Sequence, residues 1–536
     1  MLLKRIARNI PGFPFSCGYP TFVFGFTLAN MLLFGWPLFS FAASTTRAIS
    51  WPGMLDLLIL SGLQVVLMVM LLTSASLLSL RAMKLVCIAL LIGNAIALYF
   101  IETYNVLLDK TMMGNVVDTD RQQTFDLFHP KIIVYLFLLG LLPASIVATT
   151  SITGSTRLRR LRLLIATVVF GAAMVYAGSS TWPWFDEHAK RLGGLMLPWS
   201  YLANTTRYLE AVADANRKQV PLPPLHFIPN AHPERKIIVV LVIGESARAS
   251  NFSLYGYGRN TNPELAKAGV IVLPDVHACA TYTTAAIRCM LSHVGGDAPA
   301  NVSQEILPNY LQRHGVEVIW RSNNWGEPPL KIAHYERVGE IRKQYDEALL
   351  DRLGEMLARS TSPRIFVVLH ARGSHGPRYD RDVPEAFARF QPVCASVDVS
   401  TCTHASLVNA YDNTIVYTDH FLADTIKLLE AVPDSASTMI YISDHGESLG
   451  ERGFYLHGAP NSVAPDVQRD VPFLVWMSPA FSEAKAISPN EILSRAPFGD
   501  DNVFHSVLGA FGGSSTVYKP SLDLFSHSET SARHLH

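Results

Sequence analysis

The sequence predicts an α/β protein in two parts: an N-terminal five-helix transmembrane domain, then a domain with a mostly parallel sheet between helices. Three observations predict it. Long uncharged runs crowd roughly the first third of the 536 residues and raise the hydrophobic share to 49%, with only 16% charged, too apolar for an ordinary soluble protein. Basic residues alternate between those runs as they do between membrane helices. Beyond Lys236, short β-branched runs alternate with helical stretches, the pattern of a parallel sheet covered on both faces.

The apolar runs fall at residues 21–41, 57–80, 85–101, 132–150 and 163–180, each near the ~20 residues needed to cross hydrocarbon. The first is too long for a signal-peptide core and lacks a cleavage site. Lys4, Arg5 and Arg8 precede it, Arg81 and Lys84 separate the second and third runs, and Arg157, Arg159, Arg160 and Arg162 separate the last two. Alternating helices put all three clusters on one side, which is then cytoplasmic, and five crossings leave everything after Thr181 outside. Domain boundaries follow as 1–181 for the membrane domain, 182–235 for an amphipathic bridge ending in Pro221-Leu-Pro-Pro224, and 236–536 for the soluble domain.

The loop at 102–130 is polar and longer than a turn requires. Asn115, Thr119 and Gln123, four apart, share one helical face. That face is either a solvated surface or a reader of a lipid headgroup at the outer membrane surface. In the soluble domain the strands are expected at 237–243, 316–320, 365–369 and 439–442, with helices at 346–359 and 405–432. Functional residues belong at the carboxyl ends of such strands.

Of six cysteines, Cys17 and Cys87 read as isolated small hydrophobes. Cys279 with Cys289 and Cys394 with Cys402 form two short-range pairs without C-x-x-C spacing. Metal ligation and free thiols are alternatives, but both loops have a length that disulfides commonly close, which favours an oxidising compartment and agrees with the topology. Net charge is zero, 44 basic against 44 acidic residues, so nothing electrostatic points to nucleic acid.

Between Cys279 and Cys289 lie Thr281, Thr283 and Thr284. A hydroxyl is a poor nucleophile at neutral pH unless a base or metal activates it. Candidate partners stand at strand ends: Glu245 in Val-Ile-Gly-Glu-Ser, and Asp444-His445 in Ile-Ser-Asp-His-Gly-Glu-Ser. Carboxylates and imidazole are the ligand types of catalytic zinc, and Thr283 completes four. The plain alternative is a threonine-rich loop closed by a disulfide. His375 and His457 lie on glycine-flanked loops, where a histidine is more often a surface residue. Beside a metal they would bind phosphate, protonate a leaving group or hold a second metal. His370 ends a strand and reads as packed.

These stretches, together with Asn-Phe-Ser-Leu-Tyr-Gly-Tyr-Gly-Arg-Asn-Thr-Asn-Pro after Arg248, Gly-Ser-His-Gly-Pro and Asn-Ala-Tyr-Asp-Asn, resemble the lipopolysaccharide phosphoethanolamine transferases, which include the mobile colistin-resistance enzymes. The resemblance covers nearly the whole chain. It implies five transmembrane helices in the bacterial inner membrane and a periplasmic domain of the alkaline phosphatase and sulfatase type. It implies Glu245, Thr283, Asp444 and His445 as ligands of a tightly bound Zn2+, Thr283 as nucleophile, and His375 and His457 around the phosphoryl group or a second zinc. Asn115, Thr119, Gln123 and Asn324 fall on headgroup-binding positions. Gln123 replaces a common acidic residue, Arg288 stands where many members have proline, and Lys331 lies in a segment lacking a cysteine pair that some members carry.

The expected activity is transfer of phosphoethanolamine from phosphatidylethanolamine to a lipid A phosphate of lipopolysaccharide by a membrane-bound monomer, with Kdo or heptose of the inner core as the alternative acceptor. A sulfatase would need Cys or Ser where Thr283 stands. A polyglycerolphosphate synthase-like enzyme and a non-catalytic membrane sensor are the remaining rivals, and the sensor would have no use for Glu, Thr, Asp and His together at strand ends.

Overall fold

The computed structural model describes residues 16–46, 50–118, 129–215, 219–229, 232, 234–297, 304–338, 345–396 and 398–526. It divides into one unit of Met1–Met113 with Phe128–Thr206 and another of Gly114–Leu127 with Arg207–His536.

In the first unit, four helices are long and apolar enough to span a membrane: Gly53–Leu78, Leu80–Tyr104, Pro130–Thr149 and Arg157–Ala177. The first apolar run is a pair, Tyr19–Phe34 and Trp36–Thr45, bent by 68°, and makes the fifth span when taken as one. The bend has a local cause: Gly35 links the two pieces and Pro37 opens the second, where it has no N–H to continue the hydrogen-bond ladder. Arg160 donates to the Ser76 carbonyl and Lys84 to the Thr150 carbonyl, so two of the basic clusters share one end of the bundle. Inside it, Asn94 donates to Asn30 Oδ1 at 2.8 Å, which satisfies polar groups that lipid could not.

The second unit is built on seven strands: β1 (Lys236–Gly244), β2 (Ile271–Leu273), β3 (Glu317–Ser322), β4 (His334–Arg337), β5 (Arg364–His370), β6 (Ser435–Ser443) and β7 (Phe473–Met477). Their order across the sheet is β2-β7-β6-β1-β5-β3-β4. Strands β6, β1, β5, β3 and β4 run parallel, and β7 is antiparallel to both its neighbours. The four expected strands are the central ones. Three flanking strands escaped the sequence reading because two are very short and β7 lacks a distinguishing pattern.

Both faces are apolar, as central parallel strands require. Val239, Leu241, Ile243, Phe366, Val368, Ile440 and Ile442 pack on one side with helices α1 (Thr283–Leu291) and α3 (Asp501–Ala510). Ile238, Val240, Val242, Ile365, Val367, Met439 and Tyr441 pack on the other with α2 (His404–Glu430). Each fully buried aliphatic side chain contributes about 1.5–3 kcal/mol, so the middle strands form the rigid part from which the loops project. The helix expected at 346–359 is two pieces, a 3₁₀ turn at Asp346–Leu350 and a helix at Leu353–Arg359, separated where Arg352 takes a left-handed φ of 54°.

Cys279–Cys289 and Cys394–Cys402 are both disulfides, while Cys17 and Cys87 are free. Closing the Cys394–Cys402 loop should stabilise the fold by about 2–3 kcal/mol. Replacing both cysteines by serine should lower the urea midpoint of the full-length protein, with a slightly steeper slope because the unfolded chain is less constrained.

Candidate active site

The site is assembled by strand adjacency. Because β1 and β6 are parallel neighbours with Gly244 beside Ser443, the next residues, Glu245 and Asp444, emerge side by side. Strand β5 lies on the other side of β1, and its continuation carries Ala371 to His375; the Ala371 N–H donates to Ile243 O and the Ser374 N–H to Glu245 O. Gly373 is required here, since its φ is +52° and a Cβ would lie 2.8 Å from Glu245 O.

Thr283 is the first residue of α1, and its Oγ1 donates to Glu245 Oε2 at 3.0 Å. His445 Nε2 lies 3.3 Å from Thr283 Oγ1, 3.2 Å from Glu245 Oε1 and 3.3 Å from Asp444 Oδ2. Four donor atoms therefore face one another across a small space. Of the other threonines, Thr281 is buried and spends its hydroxyl on Ala459 O at 2.6 Å.

The chemistry of this set calls for a cation. Glu245, Asp444 and His445 are fully buried, and Asp444 Oδ2 has no hydrogen-bond donor. The Nδ1–H of His445 donates to Gly446 O at 2.9 Å, which turns the Nε2 lone pair toward the carboxylates. Without a metal, protons must serve. Burial and the neighbouring Glu245 charge push Asp444 up to about 7, against the opposing effect of His445. His445 rises to about 10 because Asp444 and Glu245 outweigh the effect of burial. Burial would also raise Glu245, but His445 and the other two histidines hold it well below the usual carboxylate range. A divalent metal suits the same oxygens and nitrogen, so the residues fit one.

Other side chains hold the ligands. Glu245 accepts from Asn324 Nδ2 at 2.7 Å and from Ser246 Oγ at 2.8 Å, and the Ser246 N–H donates to Asp444 Oδ1 at 3.2 Å. Asn324 spends its second amide hydrogen on Ala371 O at 3.1 Å. It therefore stands behind Glu245 as its support. Gly446 is enforced by packing, because a Cβ there would sit 2.0 Å from Val467 O.

The His457 ring is tilted by 42° against that of His445, with centroids 4.2 Å apart, and lies 5.6 Å from His375. Its Nδ1 is 3.3 Å from Glu447 Oε1 and from Ser246 Oγ. Burial and the His445 charge push His457 down to about 3, and burial lowers His375, so both are neutral imidazoles. One atom each from Glu245, His445 and His457 also lies within 4.8 Å of the others, a second way to hold a metal. His370 is packed as expected, against Trp320 and Glu327.

Sequence reasoning gave no role to Glu447, which is buried and raised to about 8 by burial. Its signal was present, a carboxylate two residues beyond His445 in the same loop. Of the loop positions, Asn115 lies in the helix Lys110–Asp118, while Thr119 and Gln123 fall outside the described residues. Lys331 is exposed, its N–H bonded to Asn309 Oδ1 at 2.7 Å.

Comparison with known proteins agrees with this arrangement. The sulfatase family model matches residues 238–513, and the model described as phosphoethanolamine transferase EptA/EptB matches 65–212. Phosphoethanolamine transferase EptA of Helicobacter pylori is 38% identical over 517 residues, covering 94% of this chain and 95% of the relative. This chain belongs to the phosphoethanolamine transferases. The transferase is also 34% identical to phosphatidylethanolamine transferase Mcr-1 of Escherichia coli, over 74% of this chain and 78% of that one. The integral membrane lipooligosaccharide phosphoethanolamine transferase A of Neisseria meningitidis superposes with a TM-score of 0.86 at 27% identity, covering 95% and 99% of the two chains. The transferase is thus an integral membrane enzyme, and its sulfatase-like catalytic domain is periplasmic.

Beside the Cys279–Cys289 loop lies one more titratable group. Asp500 accepts the Cys279 N–H at 2.9 Å, its other oxygen has no partner, and burial with the Asp501 charge raises it to about 8. The folded transferase keeps a proton that the unfolded chain releases at about pH 4. Stability is therefore lost as pH rises from about 4 toward 8, and Asp500→Asn should flatten that slope in thermal melts taken across the range.

Proposed function

We propose that this transferase moves phosphoethanolamine from phosphatidylethanolamine to a phosphate of lipid A, through a covalent adduct on Thr283 at a site holding Zn2+. The observation that carries the reading is the Thr283 hydroxyl at the start of a helix, 3.0 Å from Glu245 and 3.3 Å from His445. Glu245, Thr283, Asp444 and His445 would hold the metal. Zinc in that position lowers the hydroxyl's pKa and offsets charge on the phosphoryl oxygens.

Thr283 Oγ1 forms a bond to phosphorus while the bond from phosphorus to the diacylglycerol oxygen breaks. The threonine proton ends on that departing oxygen. In the second half, the hydroxyl oxygen of the acceptor phosphate attacks the same phosphorus, the threonine ester bond breaks, and the acceptor's proton returns to Thr283 Oγ1. Thr283 stands at the N-terminus of α1, an end whose partial positive charge favours the developing negative charge. His375 and His457, both neutral imidazoles, would bind the phosphoryl group by hydrogen bonds. Glu245, His445 and His457 share two ligands with the four-residue set and so form an alternative seat for the same zinc, while a second zinc beside His375 and His457 is the alternative count.

The donor suits an enzyme anchored in the bilayer, since its lipid never has to leave. For the acceptor, a catalytic domain joined through the short 182–235 bridge favours groups just above the membrane over distal sugars. Headgroup binding by Asn115, Thr119 and Gln123 belongs to the same proposal.

Thr283→Ala should abolish transfer, and trapped enzyme should carry phosphoethanolamine on the Thr283 peptide; an adduct at Thr281 or Thr284 would contradict the assignment. Metal chelation should inactivate the wild type and zinc should restore it. Lipid A released by mild acid from expressing cells should gain the mass of one phosphoethanolamine, and polymyxin tolerance should rise because an ammonium now stands beside the phosphate. If the added mass appears only on the core oligosaccharide, Kdo or heptose is the acceptor.

A further inference from the structure

The turn that carries Glu245 is left-handed at a residue that is not glycine: Ser246 has φ +56°. Such a conformation costs roughly 1–3 kcal/mol and persists only where its surroundings impose it. The backbone groups of the turn can be accounted for one by one. The Ser246 N–H goes to Asp444 Oδ1, the Ala247 N–H to Ser443 Oγ at 2.8 Å, and Glu245 O accepts from Ser374. Those partners all belong to loops at the carboxyl end of the sheet. The remaining two groups are met by a single hydroxyl from helix α2: Tyr411 donates to Ser246 O at 2.7 Å and accepts from the Arg248 N–H at 2.9 Å.

Tyr411 is completely buried, braced by Tyr379 at 5.5 Å and by the Arg248 guanidinium at 5.9 Å from its ring. One turn further along α2, Thr414 donates to Ser374 Oγ at 2.7 Å. Residues three apart lie on the same helix face, so this face touches both the Glu245 turn and the loop that carries His375. Asp412 ties α2 to the same segment by accepting from Asn251 at 2.7 Å, Tyr257 at 2.8 Å and Arg259 at 2.9 Å. The Asn-Ala-Tyr-Asp-Asn stretch of α2 thereby clamps Ser246, Arg248, Asn251, Tyr257 and Arg259.

We propose that Tyr411 and Thr414 are positioning residues: the Tyr411 hydroxyl holds the Ser246 turn that aims Glu245 at the metal site, and Thr414 sets the His375 loop beside it. Neither touches the donor atoms. This inference rests on the zinc-dependent transfer proposed above.

The test uses full-length protein in detergent with Tyr411→Phe, Thr414→Val and, as a control, Tyr255→Phe. Tyr255 has a comparable role away from the site, its hydroxyl bonded to Leu273 O at 2.9 Å and to the Phe473 N–H at 2.8 Å. Zinc affinity is read by competition with a chromophoric chelator, and transfer by kcat and KM for phosphatidylethanolamine. Tyr411→Phe should weaken zinc binding about 10–100-fold, with activity recovered in excess zinc, as loss of a residue orienting a ligand does. Thr414→Val should lower kcat about tenfold with KM little changed. Tyr255→Phe should lower the melting temperature while leaving zinc affinity at the wild-type value. Wild-type zinc affinity in Tyr411→Phe, or an equal loss in Tyr255→Phe, overturns the role of Tyr411. If Tyr411→Phe does not accumulate folded, Thr414→Val decides, and a wild-type kcat there overturns the clamp. A wild type that neither binds zinc nor transfers would instead overturn the underlying reading.

Discussion

Two carboxylates, Glu245 and Asp444, are placed side by side with no exposure to water, and the rest of the catalytic unit is arranged around that fact. Taking charge out of water costs several kcal/mol per group unless opposite charge and hydrogen bonds compensate. Here the compensation is layered. His445 and Thr283 close the front, Asn324 and Ser246 donate to Glu245 from the side, and backbone N–H groups of Ser246 and His445 donate to Asp444. One oxygen of Asp444 is left over, facing the same space as His445 Nε2. A site that satisfies every polar group but the ones facing its centre is built to receive a cation there.

The parallel pairing of β6, β1 and β5 is what makes the convergence possible. In an antiparallel sheet, consecutive neighbours would send their following loops to opposite edges. Parallel neighbours send Asp444-His445, Glu245 and His375 to one edge. Strand β7 runs the other way, and the segment preceding it serves the site as well: Val467 O and Gln468 O accept the Glu447 and Gly446 N–H groups. Thr283 arrives separately, on a helix whose start is tied by a disulfide that spans it and whose Ile287, Met290 and Leu291 pack in the core beside the sheet.

How much of this was legible in the sequence depended on the range of each interaction. Glu245, Asp444 and His445 could be read because each directly ends an apolar run, a local signal. The central strands could be read for the same reason. The bend in the first membrane helix was written in Gly35-Trp-Pro37 and was passed over because hydropathy averages across it. Tyr411 stands in the Asn-Ala-Tyr-Asp-Asn motif, but its role could not be read, since its partner at Ser246 is 165 positions away. Asn324 is similar: its place in the family pattern was local, while the bonds of its amide hydrogens to Glu245 and Ala371 are contacts that only the fold brings about.

Ser246 itself shows why the left-handed turn was not solved with glycine. Glycine would remove the conformational cost at φ +56°, as it does at Gly373 across the site. It would also remove the Oγ, which donates to Glu245 Oε1 at 2.8 Å and stands 3.3 Å from His457 Nδ1. That hydroxyl links the buried carboxylate to the histidine beside His445, so a fixed orientation of two site residues depends on it. Hydrogen bonds to a charged group contribute about 1.5–3 kcal/mol, comparable with the strain of the turn. The two terms nearly offset, and the balance is tipped by Tyr411, whose bonds exist only while the turn is formed. A strained serine held from behind therefore achieves what a relaxed glycine could not: a rigid carboxylate and a rigid imidazole set by one residue.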